Sequence, residues 1–347
     1  MAAYGDLIPV NVVTGFLGSG KTTLLRRLLA APRLKNVAVM VNEFGEVGLD
    51  HHLLSAVAEG TLLLDNGCVC CAIRGDLRGA LRDLLGQRER GEVPPFDRVV
   101  IETSGLADPV PIAYTVLIEP VLQHRFRLGN VIAAVDAANG ARQLDSFPES
   151  VKQAAVADRI VLTKTDLCEA GGIAALKDRL GALNRAAPVH DAAAAGVPEW
   201  LLVDDAFDDD AKAGEVARWL GRGEAEGGPP AHDHSHGISS FCLRFERPLD
   251  WTAFGIWMTM LLNRHGEKVL RIKGLLGVAG LDAPVVINGV QHVVHPPTHL
   301  DRWPDSDRGS RIVFIVRDLP RRRIEDSLAA FNRLANPGAA AASAAPA

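Results

Sequence analysis

A glycine-rich loop between an apolar strand and a helix constrains this chain more than any other feature. Residues 8–13 form an apolar, β-branched run, and Gly15-Phe16-Leu17-Gly18-Ser19-Gly20-Lys21-Thr22-Thr23 follows it. Leucines then recur at helical spacing, at positions 24, 25, 28 and 29. Strand, loop and helix are the context in which Gly-x-x-x-x-Gly-Lys-Thr predicts a phosphate-binding loop. We therefore expect an α/β fold, a P-loop nucleotide-hydrolase domain with a mainly parallel sheet.

Each part of this loop has an expected task. The glycines let successive backbone N–H groups converge on phosphate oxygens, and the helix adds its positive end. Lys21 reaches the β- and γ-phosphates, and Thr22 holds Mg²⁺. Glycine-rich turns of this kind also occur without a nucleotide, but the Lys-Thr pair favours nucleotide binding. The expected nucleotide-binding residues of the loop are Gly15, Gly18, Ser19, Gly20, Lys21, Thr22 and Thr23.

Acidic residues follow two further apolar runs. Residues 37–41 lead into Asn42-Glu43-Phe44-Gly45-Glu46, and residues 99–101 lead into Glu102-Thr103-Ser104-Gly105. Ligands bind beyond the carboxyl ends of the strands in open α/β sheets, so Glu43 and Glu102 are expected near the phosphates. Glu102 is placed to orient the Mg²⁺ shell or the attacking water, and Gly105 to offer its N–H to the γ-phosphate.

The segment Thr163-Lys164-Thr165-Asp166 follows the apolar run 159–162 and predicts guanine recognition. A carboxylate at Asp166 accepts hydrogen bonds from guanine N1–H and the 2-amino group, whereas adenine would turn a lone pair towards it. The alkyl stem of Lys164 can cover the plane of the base. In isolation such a segment would be an ordinary polar loop. It predicts guanine recognition because it ends a strand downstream of a phosphate-binding loop.

Three thiols crowd into the segment Cys68-Val69-Cys70-Cys71. Thiolates are ligands for soft and borderline ions, and a C-x-C-C cluster supplies three of the four ligands that a closed zinc site needs. The fourth position is left for another group, with Glu43 as the first candidate. Buried small apolar cysteines are the alternative, although three within four residues disfavour it.

Composition restricts the partners and the compartment. With 347 residues the chain is long enough for two domains, and its net charge of −5 disfavours a nucleic-acid surface. The sequence has neither a signal peptide nor an apolar stretch long enough to span a membrane. Five cysteines, an odd number, do not suggest a disulfide framework. We expect a cytoplasmic protein that uses neither nucleic acid nor a membrane as partner.

Composition also predicts the domain boundaries. Residues 1–200 form the nucleotide domain with its embedded cysteine cluster, and residues 201–237 form an acidic, glycine-rich connector. Residues 238–335 follow a β-α-β-β-β-α pattern, which suggests a smaller α+β domain with an antiparallel sheet, and residues 336–347 form an Ala-rich disordered tail. The connector contains His232, His234 and His236, which could bind an ion together or belong to a polar linker. The later histidines, His292, His295 and His299, have no clean ligand spacing and are expected to be structural.

Taken in order, five motifs resemble those of the CobW family of GTP-dependent metal chaperones, with spacing similar to the YjiA-like branch. They are Gly-Phe-Leu-Gly-Ser-Gly-Lys-Thr-Thr, Asn-Glu-Phe-Gly-Glu, Gly-Cys-Val-Cys-Cys, Glu-Thr-Ser-Gly-Leu-Ala-Asp-Pro and Thr-Lys-Thr-Asp. The resemblance is close over residues 7–190 and looser over 239–335. It implies a GTPase with zinc or cobalt as cargo. The resemblance implies that Lys21 and Thr22 serve the phosphates and Mg²⁺, that Glu102 occupies the catalytic acidic position, and that Lys164 and Asp166 bind guanine. Cys68, Cys70 and Cys71 hold the metal, with Glu43 near it.

The resulting hypothesis is a slow GTPase that binds GTP/GDP, Mg²⁺ and Zn²⁺ (or Co²⁺) and delivers the metal to a client metalloprotein. Hydrolysis is expected to be slow because no arginine finger or glutamine stands out in a catalytic position. Two alternatives stay open: a small-molecule kinase that uses the same loop, and a GTPase with a permanent structural zinc. The sequence names no client, and it leaves open whether the chain forms a homo-oligomer.

Overall fold

The computed structural model describes residues 6–31, 34–41, 61–64, 75–203, 213, 214, 216 and 237–335. The chain divides into two compact units, residues 1–219 and residues 220–347. The elements of the first unit are β1 (Ile8–Gly15), α1 (Lys21–Leu29), β2 (Val37–Val41), β3 (Thr61–Leu64), α2 (Gly75–Glu89), β4 (Arg98–Glu102), α3 (Val110–Ile118), β5 (Phe126–Asp136), α4 (Gly140–Ser146), α5 (Pro148–Val156), β6 (Arg159–Thr163), α6 (Ala170–Leu183), β7 (Val189–Asp191) and α7 (Trp200–Val203).

The first unit is built on a seven-stranded parallel sheet with the order β3-β2-β4-β1-β5-β6-β7. Parallel strands covered on both faces read as continuous apolar runs, and β5 is buried along all eleven residues. On one face, leucines of α1 pack with Val13, Val39 and Ile132 in a common core. The predicted P-loop fold with a mainly parallel sheet is confirmed.

The strands end at one edge of this sheet, and their register brings the predicted motifs together there. Glu102, the last residue of β4, is paired with Val13 of β1 and with Val41 of β2. On the other side, Asp136 of β5 is paired with Thr163 of β6. The carboxyl edge therefore carries the phosphate loop, the Glu102 segment and the Thr163–Asp166 segment side by side.

Helix α7 belongs to the first unit, whereas the sequence placed the start of the connector at residue 201. Leu201 and Leu202 are fully buried in the core formed with α1. The carbonyl group of Leu202 accepts hydrogen bonds from Asn11 Nδ2 at 3.2 Å and from Arg98 Nη1 at 2.7 Å. The composition around this short helix is Ala-rich and acidic, which is why the sequence predicted a connector here instead of an apolar helix packed in the core.

The second unit contains β8 (Ile238–Phe245), α8 (Trp251–His265), β9 (Val269–Leu276), β10 (Val285–Val290), β11 (Val293–Val294), β12 (Thr298–His299), β13 (Ser310–Arg317) and α9 (Arg321–Ala335). Its antiparallel sheet has the order β11-β10-β9-β13-β8, and β12 pairs with β10. Phe254 and Trp257 of α8 and Ile324 and Leu328 of α9 pack on one face of it. The expected small α+β domain is confirmed.

One strand of this unit differs from the prediction. The predicted β-α-β-β-β-α pattern counts the apolar run 285–294 as one strand, but β10 turns back into β11 through residues 291 and 292. Gln291 has a φ of 49°, the left-handed conformation that a two-residue hairpin turn requires. No Gly or Asn marks the turn, so the sequence concealed it.

Within the described residues, no helix is long and apolar enough to cross a membrane. The structural role expected for His292, His295 and His299 stays a prediction. A ring nitrogen of His292 lies 3.1 Å from the carbonyl oxygen of Leu262, and His295 is buried.

Candidate functional site

The phosphate-binding loop is shaped by backbone conformations that favour glycine. Gly18 and Gly20 have φ values of 69° and 83°, and Gly20 is the N-cap of α1. Gly20 has no side chain that could cap this helix end by a hydrogen bond. Backbone N–H groups at the start of α1 thus point at a site where an anion would satisfy them.

Gly15 is needed at the base of the loop for a steric reason. Its φ is 144°, and a Cβ atom placed on it would lie 2.3 Å from the carbonyl oxygen of Ala134 and 2.7 Å from Ser19 Oγ. Both distances are shorter than any ordinary contact with a Cβ atom. A side chain at this position would push β5 and the loop apart.

Two side chains at the start of α1 are held by the loop and by β4. Lys21 Nζ donates to the carbonyl oxygens of Gly15 at 3.0 Å and Phe16 at 3.2 Å. Thr22 Oγ1 donates to Glu102 Oε1 at 2.6 Å. Glu102 is only 4% exposed, so its carboxylate is a buried acceptor fixed beside the helix start.

The segment after Glu102 packs tightly against the loop. A Cβ atom on Gly105 would lie 2.6 Å from Leu17 Cδ2 and 2.7 Å from the Leu17 backbone nitrogen. Gln153 Nε2 donates to the carbonyl oxygens of Gly105 at 3.1 Å and Ala107 at 3.0 Å. The peptide units around Gly105 are thereby fixed in orientation. Sequence analysis did not find Gln153, because it lies 48 residues away on α5.

A cavity of about 630 Å³ lies along this edge of the sheet. Its lining joins the loop, the Glu102 segment and the predicted base-binding segment, and includes Gly18, Gly20, Lys21, Thr22, Thr23, Glu102, Gly105 and Lys164. Most of the nucleotide-binding residues predicted from sequence thus meet in one cavity. Gly15 and Ser19 shape the loop behind it, and Ser19 is buried.

The Thr163–Asp166 segment is joined to the phosphate loop by two hydrogen bonds. Thr163 Oγ1 donates to the carbonyl oxygen of Ser19 at 2.7 Å, and Lys164 Nζ donates to that of Gly18 at 2.7 Å. Lys164 has a φ of 57°, and a turn of 3₁₀-helix, Thr165–Leu167, follows it. Asp166 lies exposed on this turn, where its carboxylate can meet a ligand.

Two carboxylates that sequence analysis left without a role support this segment. Asp136 Oδ2 accepts from Lys164 Nζ at 2.8 Å, and Asp191 Oδ1 accepts from Thr165 Oγ1 at 2.6 Å. Burial alone would raise the pKa of both groups, but these hydrogen bonds and others from nearby amide groups lower it below its ordinary value. Asp136 and Asp191 are the last residues of the parallel strands β5 and β7. This position at a strand end is the sequence signal that could have indicated their role.

The predicted metal ligands Cys68, Cys70, Cys71 and Glu43, and the histidines 232, 234 and 236, lie outside the described residues. In the part of the chain that is described, no group of three or more His, Cys, Asp or Glu side chains could hold a metal ion. The two described cysteines, Cys168 and Cys242, are free thiols.

Comparison with known proteins agrees with this geometry. Residues 9–191 match the family model of the CobW/HypB/UreG nucleotide-binding domain, and residues 238–332 match the C-terminal domain of the cobalamin synthesis protein CobW. The chain belongs to the CobW/HypB/UreG family. Within this family, the zinc chaperone YjiA of Escherichia coli is 36% identical over 94% of this chain and 99% of its own. The zinc chaperone CobW of Pseudomonas aeruginosa is 30% identical over 92% of this chain and 90% of its own.

The crystal structure of Zn(II)-bound YjiA GTPase from Escherichia coli has the same architecture. It superposes with a TM-score of 0.70 at 31% identity, covering 94% of this chain and 99% of the other. A CobW nucleotide-binding domain followed by a CobW C-terminal domain is therefore the organisation of this protein.

Proposed function

We propose that this protein hydrolyses GTP and that the nucleotide controls the binding of Zn²⁺, or of Co²⁺, for delivery to a client metalloprotein. The observation that carries the proposal is that Lys21, Glu102 and Lys164 all line one cavity at the carboxyl edge of the sheet. Similarity to zinc chaperones and to a zinc-bound GTPase supports the identity of nucleotide and metal.

Hydrolysis requires the γ-phosphate to be held while water attacks. Lys21 Nζ, which donates to two loop carbonyl groups and lines the cavity, would donate to a β- or γ-phosphate oxygen of the bound nucleotide. The Gly105 N–H can donate to the γ-phosphate from the other side, and Gln153 fixes the next peptide unit through the carbonyl oxygen of Gly105. The buried carboxylate of Glu102 is placed to orient the attacking water or the metal shell.

The residues present fit Mg²⁺, the metal that P-loop hydrolases use. Thr22 Oγ1 and Glu102 Oε1, 2.6 Å apart, form a pair of oxygen donors of the kind that Mg²⁺ prefers. Mg²⁺ bound there would neutralise charge developing on the phosphates. Thr22 would hold it directly, and Glu102 would accept hydrogen bonds from its hydration shell.

Guanine selection rests on Asp166. Its exposed carboxylate stands on the turn after β6, beside the Lys164 stem that would cover the base. Guanine presents two donors to a carboxylate, whereas adenine presents a lone pair, so attraction and repulsion both favour guanine.

Phosphate release with GTP and with ATP, in the presence of Mg²⁺, tests this part of the proposal. We expect GTP to be hydrolysed with at least about 100-fold higher kcat/KM than ATP, and Lys21→Ala to abolish release. Equal use of ATP, with the phosphate transferred to a small-molecule acceptor, would instead support the kinase alternative.

The control of metal binding is inferred from the order of strands. β3 is the edge strand beside β2, and β2 lies beside β4, so the chain leaves Leu64 at the same edge as Val41 and Glu102. Cys68 follows four residues later. We infer that γ-phosphate contacts at this edge of the sheet change Zn²⁺ binding by the cysteines that follow β3 in the sequence.

Zinc binding through the cysteines can be measured by competition with a chromophoric chelator. We expect Cys70→Ser to weaken Zn²⁺ binding at least about tenfold, because the site loses one of its thiolate ligands. The matched control is Cys242→Ser, since Cys242 is a partly buried thiol of β8 in the second unit. Unchanged affinity in Cys70→Ser would contradict the cysteine site.

A further inference from the structure

Asp136 is a buried carboxylate at the end of β5, and the nucleotide-binding motifs do not include it. It is 2% exposed. Oδ1 accepts from the backbone N–H groups of Ala138 at 2.9 Å and Asn139 at 3.2 Å. Oδ2 accepts from Asn139 Nδ2 at 3.2 Å and from Lys164 Nζ at 2.8 Å. The first oxygen thus shapes the turn after β5, and the second holds a cation.

The cation that Asp136 holds is shared with the phosphate loop. Lys164 Nζ also donates to the carbonyl oxygen of Gly18 at 2.7 Å. A lysine side chain has four rotatable carbon–carbon bonds and loses much conformational freedom when its end is fixed. Lys164 Nζ has two acceptors on different segments, one at the end of β5 and one in the phosphate loop. Together they restrict the conformation of the lysine side chain, which lines the cavity.

The backbone of Lys164 makes this support more important. Its φ of 57° lies in the left-handed region, which costs free energy for a residue other than glycine. Such a conformation persists only when surrounding contacts determine it. The ion pair with Asp136 is one such contact, because its charge-assisted hydrogen bond is stronger than a neutral one.

We propose that Asp136 is a positioning residue for guanine binding: it holds Lys164 Nζ against Gly18, so that the lysine stem lies ready over the plane of the base. The inference rests on the proposed guanine-nucleotide function. It adds that base affinity depends on a carboxylate that touches neither base nor phosphate. The lowered pKa of Asp136 keeps this carboxylate ionised at neutral pH.

A double-mutant cycle on GDP binding tests the proposal with Asp136→Asn, Lys164→Ala and the double variant, titrated by calorimetry. Asn keeps an oxygen acceptor for the turn but loses the charge that holds Lys164. We expect about a tenfold loss of GDP affinity in each single variant. Because both changes remove the same interaction, the double variant should bind no worse than Lys164→Ala. A merely structural role for Asp136 would make the two losses multiply.

Asp145→Asn is the matched control, because Asp145 is an exposed carboxylate on α4 paired with Arg179 at 2.7 Å. It should bind GDP as the wild type does. If Asp136→Asn is not fully folded at the assay temperature, the cycle is run with Asp136→Glu, which displaces the carboxylate, and the same non-additivity is expected. Unchanged GDP affinity in the Asp136 variant, or losses that multiply, would overturn the proposal. Failure of the wild type to bind GDP would overturn the proposed function instead.

Discussion

The two ends of the nucleotide cavity are built in different ways. The phosphate end consists of backbone: glycine conformations, the start of α1 and the carbonyl groups that Lys21 bonds. The base end, where we propose that guanine binds, consists of side chains, with Lys164 and Thr165 held by Asp136 and Asp191 from two other strand ends. A site built from backbone tolerates few substitutions at its glycines, whereas several residues contribute to a side-chain network. Substitutions at the two ends should therefore differ in their effects on nucleotide affinity, on kcat and on stability.

The largest expected effect is at the base end. Asp166→Asn replaces the carboxylate that we propose to accept two hydrogen bonds from guanine by an amide, whose N–H₂ group would repel the 2-amino group. We expect GDP affinity to fall at least about 1000-fold. Xanthosine diphosphate, which has an oxygen at that position, should bind better to the variant than to the wild type. Calorimetric titration with both nucleotides measures the switch, and equal losses for both would contradict base recognition by Asp166.

A smaller effect is expected at the phosphate end from Gly105→Ala. The new Cβ atom would meet Leu17 at 2.6–2.8 Å, including backbone atoms, so the Gly105 peptide must move away from the loop. Since misplacement by about 1 Å can cost roughly 100-fold in rate, we expect kcat for GTP to fall by about that factor. GDP affinity should change by less than about threefold, because GDP has no γ-phosphate for Gly105 to hold.

Gly79→Ala is the matched control for this substitution. Gly79 lies inside α2, and among the described residues no atom beyond the adjacent helix backbone lies within 4 Å of a Cβ placed on it. The variant should keep its activity and gain about 0.5–1 kcal/mol of stability, as alanine does in a helix interior. Equal losses of kcat in both variants would show that the contact between Gly105 and Leu17 is unimportant.

The smallest expected effect is on stability, at Asp191. Its ionised carboxylate accepts hydrogen bonds from Thr165 Oγ1 and from the N–H groups of Ala193 and Ala194, and Lys177 lies 3.6 Å away. These contacts lower its pKa against the opposing effect of burial. A lowered pKa in the folded state contributes stability above the unfolded pKa of about 3.9, and this contribution is lost as pH falls through the lower folded value.

We therefore expect Asp191→Asn to reduce the free energy of unfolding by about 1 kcal/mol at pH 7. The difference from the wild type should shrink below about pH 4. Urea titration at several pH values measures this difference. As the control, Asp145→Asn removes an exposed carboxylate that pairs with Arg179, and its free energy of unfolding should stay within about 0.5 kcal/mol of the wild type. A difference that does not depend on pH would contradict the role assigned to the charge.

The contrast between the two ends also explains what the sequence could predict. Gly15–Thr23 is a local pattern whose function depends on neighbouring residues, so the fold and the phosphate end could be predicted from it. Asp136 and Gln153 reach their partners only through the packing of β5, β6 and α5. Asp136 is marked in the sequence only by its place at the end of an apolar run, and nothing local distinguishes Gln153 from other polar residues. The turn at Gln291 and the apolar helix α7 were missed for the same reason: their conformation depends on what they pack against.

The control of metal binding by nucleotide is tested most directly by measuring Zn²⁺ affinity with GDP and with a non-hydrolysable GTP analogue bound. The account predicts at least about a tenfold difference, or about 1.4 kcal/mol, between the two states. By linkage, Zn²⁺ must change the relative affinity for the two nucleotides by the same factor, and Cys70→Ser should remove the difference. Equal Zn²⁺ affinity in both nucleotide states would contradict the account and support a permanent structural zinc.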